Sequence, residues 1–413
     1  LLVVFRLGGQ VRIPGALDPT TRALDFSGNL SILELYDTFV GSFLSQASIF
    51  SLGIMPYISA SIIIQLMTAV VPYFQRLKKE GAEGNKKIIQ LTRYGTVLIA
   101  FIQSIGVVSL FSSQGLIISG LNNGLFFAVA IITLVTGTIF VMWLGEQITD
   151  YGIGNGISLI ITVGILAGAP NAFGAMFQTM FADSNEVIRG VFLIILLIAI
   201  TMFVVSITTA LRKIPVQFAK RVVGRKVYGG QASHIPLKIL TAGVMPIIFA
   251  QALMFLPGLL GQLTGWEWLL IGFAPDAWAY NIVFAFMIVT FTYFYTAIAF
   301  SPVDVADNMQ KQGGFIPGVR PGKATAEFLD NILTRVTLPA SIALAFIAII
   351  PFLFRKFGGV ELGLSYFFGG TSIIIAVGVA LDTMQQIEGH LVSRHYDGFL
   401  KTGKLKGRAR NRY

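Results

Sequence analysis

The sequence GTVLIAFIQSIGVVSLF at residues 95–111 is followed, after an uncharged polar segment, by LFFAVAIITLVTGTIFVMW at residues 125–143. No Asp, Glu, Lys, Arg or His occurs from Tyr94 through Leu144. As a helix, each run is about long enough to cross the ~30 Å hydrocarbon core of a bilayer. So long a stretch without charge is not typical of a water-soluble domain, so these residues predict a membrane protein.

The composition of the 413-residue chain agrees with this prediction, since hydrophobic residues make up 54% of it and charged residues 12%. Ten apolar runs are predicted to be helices, because lipid offers no partner for backbone polar groups. The runs lie at residues 1–5, 54–71, 95–111, 125–144, 157–168, 191–211, 239–256, 282–300, 338–354 and 367–381. We expect the first to be the end of a longer helix and the short, glycine-containing fifth to lie inside the bundle.

Positive charge predicts the orientation of these helices. Most of the 30 Lys and Arg residues fall in residues 76–93, 212–238, 311–335 and 394–412. With ten spans, both termini lie on the same side of the membrane, and all four basic segments lie on that side too. The positive-inside rule assigns that side to the cytoplasm. Ten spans also form two halves of five, and two halves with an odd number of spans are inverted relative to each other, as in many transporters.

The predicted fold class is therefore an all-α integral membrane protein of ten transmembrane helices in two inverted halves. Its predicted units are an N-terminal half at residues 1–170, a C-terminal half at residues 171–388 and a basic tail at residues 389–413. Basic loops at residues 212–238 and 302–335 belong to the C-terminal half.

A second unusual segment, YDTFVGSFLSQASIFSL at residues 36–52, precedes the second run. It is too polar to face lipid, and a helix of this length rises only about 25 Å. It predicts a short re-entrant or interfacial element. Pro56 then suits the first turn of the helix that follows.

The nine complete runs contain no Asp, Glu, Lys, Arg or His, the chain has no Cys, and its three His lie outside the runs. Ion-coupled transporters usually carry intramembrane carboxylates, so an inverted-repeat small-molecule transporter is the weaker alternative. An intramembrane enzyme would need a Ser/His, paired-Asp or metal constellation, so we expect no enzymatic activity. The polar residues Gln65, Gln103 and Gln251 are either ordinary interhelical hydrogen-bonding groups or parts of a seam weak enough to open.

The basic loops also have predicted structure. Alternating apolar residues around VVGRK at residues 222–226 predict a β-hairpin. In FIPGVRPG, Arg320 stands between two Pro-Gly pairs. Orientation alone explains positive charge but not long structured loops, which suit an anionic partner such as RNA phosphates or an acidic protein surface.

Four motifs resemble those of the SecY family, the channel subunits of bacterial Sec protein translocases. They are ASIFSLGIMPYISASIIIQL at 47–66, WLGEQITDYGIGNGISLI at 143–160, FIPGVRPG at 315–322 and FGGTS at 368–372. The resemblance runs in order and with matching spacing through nearly the whole chain. It departs at the start, where the family's N-terminal segment and half of its first helix have no counterpart.

The resemblance implies a ten-helix clamshell around an hourglass pore, closed by a short re-entrant plug helix near residues 36–50. The plug residues would be Phe43, Leu44, Ser45, Gln46 and Ala47. A lateral gate would lie between helices 2 and 3 on one side and helices 7 and 8 on the other, with Gln65, Gln103 and Gln251 as candidate members.

The resemblance also implies a narrow aliphatic ring made of Ile54, Ile58, Ile157, Ile161, Ile248 and Ile375. The first four form two i, i+4 pairs, and the members of each pair share a helix face. Such a ring resists wetting, which limits ion leakage, and offers a passing peptide nothing to bind. In a membrane helix without such a role, an isoleucine usually faces lipid or packs.

The function implied is a protein-conducting channel that needs no cofactor and releases transmembrane helices sideways into the lipid bilayer of the bacterial inner (plasma) membrane. The implied partners are the SecE and SecG subunits, the SecA motor ATPase, the ribosome and a secretory polypeptide with its signal sequence. No phosphate-binding Gly-Lys loop is present, so a partner must supply the energy. The implied docking residues are Arg320, Arg212, Lys220, Arg221, Arg225 and Lys226.

Overall fold

The computed structural model describes residues 1–17, 31–118, 122–182, 184–218, 221–223, 226–228, 232–358 and 370–402. Its helices are α1 Leu2–Gly8, α2 Ser31–Val40, α3 Met55–Val70, α4 Pro72–Lys79, α5 Ala82–Ser113, α6 Asn123–Tyr151, α7 Gly156–Ala167, α8 Ala169–Ala182, α9 Ser184–Thr209, α10 Met245–Thr264, α11 Glu267–Gly272, α12 Trp278–Ala299, α13 Pro302–Lys311, α14 Lys323–Gly358 and α15 Gly370–Thr402. Its strands are β1 Leu211–Phe218, β2 Arg221–Val223, β3 Lys226–Tyr228, β4 Ala232–Lys238 and β5 Gly314–Phe315.

Within the described residues, seven helices are long and apolar enough to cross a membrane, or eight if the bent pair α3 and α4 forms one span. The seven spans are Ala82–Ser113, Asn123–Tyr151, Gly156–Gln178, Gly190–Thr209, Trp278–Lys311, Lys323–Lys356 and Gly370–Val392. The apolar part of α10, Met245–Gly258, is shorter. A multi-pass membrane protein is therefore confirmed, whereas the count of ten spans stays a prediction.

Local sequence explains where several helices begin and bend. Pro56 occupies the first turn of α3, where its missing N–H has no cost. Val71 is extended because it precedes Pro72, and α4 leaves α3 at 94°. Asn155 caps α7 through hydrogen bonds that its side chain accepts from the N–H groups of Ile157 and Ser158.

The two basic loops fold together into a small β-sheet. Strands β1 and β4 pair antiparallel from Leu211 with Lys238 to Gln217 with Ala232, and β5 from the later loop adds to β1. Strands β2 and β3 also pair antiparallel, so the predicted hairpin is confirmed. This sheet corrects the prediction of an all-α protein. A separate buried apolar cluster lies at the sheet and contains Ile214, Val216, Leu237, Met309, Ile316 and Leu329.

The main apolar core joins the two halves of the chain. Helix α10 packs against α12 and α15 of its own half and against α2, α3 and α5 of the other half. The N-terminal and C-terminal halves therefore meet along α10.

The predicted plug helix requires a correction. The helix of this region is α2, which ends at Val40, and residues 41–54 form consecutive turns. Gly41 and Ser42 have φ of +89° and +64°, which a right-handed helix excludes. The predicted plug residues Phe43, Leu44, Ser45, Gln46 and Ala47 therefore lie in turns rather than in a helix.

Candidate functional site

The six isoleucines of the predicted ring all belong to the main apolar core. They come from the start of α3, from α7, from α10 and from α15, and five are buried while Ile157 is partly buried. The side chains of Ile54 and Ile157 both pack against Gly145, since a Cβ at that glycine would lie 3.5 Å and 3.3 Å from them. That the six line a pore stays a prediction.

A close crossing of two backbones holds Ile157 in place. A Cβ on Gly156 would lie 2.1 Å from the carbonyl oxygen of Gly145, so only glycine fits where α7 starts against α6. This contact places the GNG turn of residues 154–156 next to the apolar core.

The three predicted gate glutamines are buried or partly buried, and they do not hydrogen-bond one another. Gln251 on α10 donates a 3.4 Å hydrogen bond to the hydroxyl of Tyr280 on α12. Gln65 on α3 donates to Ser61 of its own helix. Gln103 on α5 is 1% exposed, and neither its Nε2 nor its Oε1 has a hydrogen-bond partner among the described residues.

An unpaired polar group buried in a protein costs about 1–3 kcal/mol. Besides Gln103, the hydroxyls of Ser59 on α3 and Thr138 on α6 are buried without partners among the described residues. Helices α3 and α5, which pack against α10, therefore carry buried polar groups that do not stabilise their packing. That the three glutamines form a gate stays a prediction.

The turn segment of residues 41–54 is fixed by hydrogen bonds to α2, which in turn makes an aromatic contact with α10. The carboxylate of Asp37 accepts hydrogen bonds from the backbone N–H groups of Leu44 and Ser45, at 2.8 Å and 3.1 Å. The Tyr36 hydroxyl donates to the Leu52 carbonyl at 2.7 Å, and its ring stacks on Phe255 of α10 at 4.0 Å. Tyr36 of α2 therefore links the turn segment to helix α10.

Charged residues occur in the helices although none occurs in the apolar runs, because the helices continue beyond the runs. Arg93 of α5 and Glu146 of α6 form a bidentate ion pair at 3.0 Å and 2.8 Å. Asp382 of α15 lies one residue past the last apolar run. The apolar runs therefore carry no charge, and these charged side chains lie at the helix ends beyond them.

A polar cavity of about 460 Å³ was missed by the sequence reasoning. It lies where α7 and α10 begin and where α15 passes between them, at the end of the molecule that bears the basic loops. Lys238 donates to Gln385 at 2.6 Å, and the Gly154 amide donates to Gln386 at 2.9 Å. The signal was the polar sequence DTMQQ directly after the tenth run.

The predicted docking residues are placed only in part. Arg320 is exposed at a loop tip between Gly318 and Gly322, which have φ of +83° and +97°. Arg212 is exposed on β1. Arg221 and Lys226 are on β2 and β3, and Lys220 and Arg225 lie outside the described residues.

In the part of the chain that the structure describes, no group of three or more His, Cys, Asp or Glu residues is arranged to hold a metal ion.

Comparison with known proteins gives one consistent answer. The family model named SecY matches residues 48–384. The chain is 43% identical to the protein translocase subunit SecY of Pseudomonas aeruginosa, over 98% of this chain and 92% of that protein. It is 43% identical to the same subunit of Escherichia coli, with 99% and 94% covered, and 44% identical to that of Halalkalibacterium halodurans, with 97% and 95% covered.

Solved structures share the fold at lower sequence identity. One, described as the structure of a protein conducting channel, has a TM-score of 0.67 at 20% identity and covers 98% of this chain and 93% of its own. Another, Sec61 in a canine ribosome-channel complex from the endoplasmic reticulum, has a TM-score of 0.63 at 19% identity, with 98% and 93% covered.

Proposed function

Since this chain belongs to the SecY family of protein translocase subunits, we propose that it conducts unfolded secretory polypeptides across the membrane and releases transmembrane helices sideways into lipid. The family match over residues 48–384 is the observation that carries this proposal. The membrane we propose for it is the bacterial inner membrane, which its bacterial relatives support, and the distribution of Lys and Arg supports cytoplasmic termini.

The proposed constriction is the ring of Ile54, Ile58, Ile157, Ile161, Ile248 and Ile375. Its support is the presence of aliphatic side chains from four segments in one core and the packing of both Ile54 and Ile157 against Gly145. Aliphatic side chains bind neither water nor peptide groups. They keep an idle pore dry and let any sequence slide past.

The proposed lateral gate is the line along which α10 packs against α3 and α5. A seam that contains buried polar groups without partners is less stable than an apolar one. An apolar signal helix that enters this seam would replace the contacts of α10 with α3 and α5 by its own contacts with these helices. Gln65, Gln103 and Gln251 are the residues we assign to the seam.

The proposed plug is α2 together with residues 41–54 rather than one short helix near residues 36–50. The stacked rings of Tyr36 and Phe255 support a coupling between this plug and the seam, because Phe255 is part of α10. A displacement of α10 during gate opening would remove this contact and loosen the plug.

The proposed docking surface is the sheet that joins the two basic loops, with Arg320 at its exposed tip. A solved relative of the same fold is described in a complex with the ribosome. We propose that this surface binds the ribosome or the SecA motor ATPase, and that SecE and SecG complete the translocase. The channel itself performs no chemistry, so the partner supplies the energy.

A small-molecule transporter is not favoured. It needs a midplane site of paired polar or ionic groups. In the described spans the charged residues lie toward the helix ends, with Arg93, Glu146 and Asp382 toward the end that bears the basic loops and Arg355 and Lys356 in the last turn of α14. The family match also favours the channel.

Site-specific crosslinking tests the channel directly. A photoreactive residue at Ile54 or Ile58, placed in membranes with a stalled secretory chain, should crosslink to that chain and lose the crosslink when the signal sequence is deleted. A probe at Ile195 of α9, which is 60% exposed on the outer face of the helix bundle, is the control and should not crosslink. An engaged chain that crosslinks from neither ring position would contradict the proposed path.

A further inference from the structure

The polar cavity at the basic-loop end of the molecule has no role in the ring, the seam or the plug. We call it the mouth cavity; its lining includes Asn155, Ser158, Lys238, Gly243, Tyr295 and Asp382. Asn155 and Ser158 belong to the N-terminal half, and the other four belong to the C-terminal half. A polypeptide that entered between the two halves from the cytoplasmic side would pass this cavity before it reached the isoleucines.

Several residues of α15 form one wall of the mouth cavity. Gln386 accepts the Gly154 amide hydrogen bond, and Gln385 accepts from Lys238 Nζ at 2.6 Å. Asp382 projects over the backbone of Gly243, where a Cβ would lie 3.7 Å from its Oδ2. The absence of a side chain at Gly243 leaves space beside the carboxylate.

The carboxylate of Asp382 is an acidic group of this wall, and the positive charge of Lys238 lies near it. No hydrogen bond or ion pair to it is present among the described residues, although it is partly buried. Lys238 is the nearby cation, and its ammonium donates to Gln385 instead. An ionised carboxylate inside a spanning helix is costly unless a cation or hydrogen-bond donor reaches it.

We propose that Asp382 binds the Lys or Arg side chains that flank the apolar segment of a translocating polypeptide. Exported chains carry a positively charged region directly before their apolar segment, and positive residues stay on the cytoplasmic side. A carboxylate at the cytoplasmic mouth binds such cations by charge-assisted hydrogen bonds. The inference rests on the proposed channel function and adds a binding site for substrate charge.

Lys238 has an opposing role in this proposal. It places a positive charge beside the same carboxylate, so it competes with the cation of the substrate. Replacing Lys238 with a neutral residue should therefore strengthen the preference for a basic flank, whereas neutralising Asp382 should weaken it. A structural role for either residue would not produce changes of opposite sign.

The test measures translocation of two preproteins that differ only in the flank of their apolar segment, with three Lys in one and three Gln in the other. The full translocase in vesicles of one fixed lipid composition should favour the Lys-flanked form. Asp382→Asn should lower that preference about threefold to tenfold, as expected for one partly exposed charge pair, and leave the Gln-flanked rate unchanged. Lys238→Gln should raise the preference.

Glu388→Gln is the matched control, because it removes an exposed carboxylate of the same helix that does not line the mouth cavity. An Asp382→Asn translocase that kept the full preference would overturn the proposal. If that variant did not assemble, an unchanged or lower preference in Lys238→Gln would overturn it equally. Failure of the unsubstituted chain to move even the Gln-flanked form would count against the channel function instead.

Discussion

The backbone amide of Gly154 donates a 2.9 Å hydrogen bond to the side-chain oxygen of Gln386, which joins the turn after α6 to the last described helix. The two residues are 232 positions apart and belong to opposite halves of the chain. Gly154 has φ of +87°, a conformation that is open to glycine and strained for other residues. Backbone geometry in the GNG turn therefore sets the contact between the halves at the mouth cavity.

Gly154→Ala is expected to destabilise the protein. The positive φ costs a residue with a Cβ about 1–2 kcal/mol, and the new Cβ would lie 3.0 Å from Thr383 Oγ1. The midpoint of thermal unfolding in detergent should fall. Gly174→Ala on α8 is the control, since nothing lies within 4 Å of its Cβ position and alanine favours the helix by up to about 1 kcal/mol. Equal midpoints for the two variants would contradict this account.

Asp37 should make the turn segment pH-dependent. Burial raises the pKa of its carboxyl to about 6, although the amides of Leu44 and Ser45 and the hydroxyl of Ser45 lower it in part by hydrogen bonding. In the unfolded segment the pKa is about 3.9. The folded segment therefore binds more protons between these values and loses stability as the pH rises from about 4 to about 6.

Hydrogen exchange can measure this dependence. Protection of the Leu44 and Ser45 amides, corrected for intrinsic exchange rates, should be up to about 100-fold higher at pH 4 than at pH 7. Asp37→Asn keeps a side-chain oxygen as acceptor and does not titrate, so its protection should be the same at both pH values. Protection that rises with pH in the unsubstituted protein would refute the assigned cause.

Hydropathy and charge predicted the membrane location, the positions of most helices and the hairpin of the basic loops, because lipid and strand pairing impose strong patterns. The break between α2 and the turns at residues 41–54 was not predictable in the same way. It depends on the left-handed conformation of Ser42 and on the amides that Asp37 binds, and both follow from tertiary packing rather than from local propensity.

The proposed ring could be assigned where family motifs contain its residues, whereas the mouth cavity could not. The six isoleucines were assigned through GIMPYI, GISLII, MPII and TSIII, and the structure places all six in the main apolar core, although Ile157 is only partly buried. The mouth cavity was missed because Asp382 and Lys238 come from distant parts of the chain, and each is an ordinary charge just beyond an apolar run. Only the folded arrangement shows that both residues line one cavity.

Ile375→Asn should loosen the proposed ring. Ile375 is fully buried in the core, and an amide there attracts water and lacks a partner in an aliphatic surrounding. The expected result is ion leakage through idle channels or translocation of preproteins with defective signal sequences. Ile375→Leu keeps size and polarity and is the control. If Ile375→Asn assembled and showed neither effect, the ring assignment would be wrong.

Gln103→Leu should make the proposed gate harder to open. The substitution removes two buried polar atoms without partners, at about 1–3 kcal/mol each, and keeps a side chain of similar length. Preproteins with weakly hydrophobic signal sequences should then translocate more slowly, while strongly hydrophobic ones change little. Gln251→Leu offers a contrast, because it also removes the hydrogen bond to Tyr280. It should therefore stabilise the closed gate less than Gln103→Leu does. Faster translocation of weak signals by Gln103→Leu would contradict the prediction.

Arg320→Glu should impair motor-driven translocation without unfolding the protein. Arg320 is exposed at a tip that two glycines with positive φ hold in shape, and its carbonyl accepts a 2.9 Å hydrogen bond from the Thr325 hydroxyl. The loop geometry therefore does not depend on the guanidinium, and a reversed charge acts on a partner that binds there. Lys323→Glu, an equal charge change at an exposed side chain three residues away, is the control and should have the smaller effect. Normal translocation by Arg320→Glu, measured with vesicles and the purified motor, would remove Arg320 from the docking surface and leave the positive charge of this loop to membrane orientation alone.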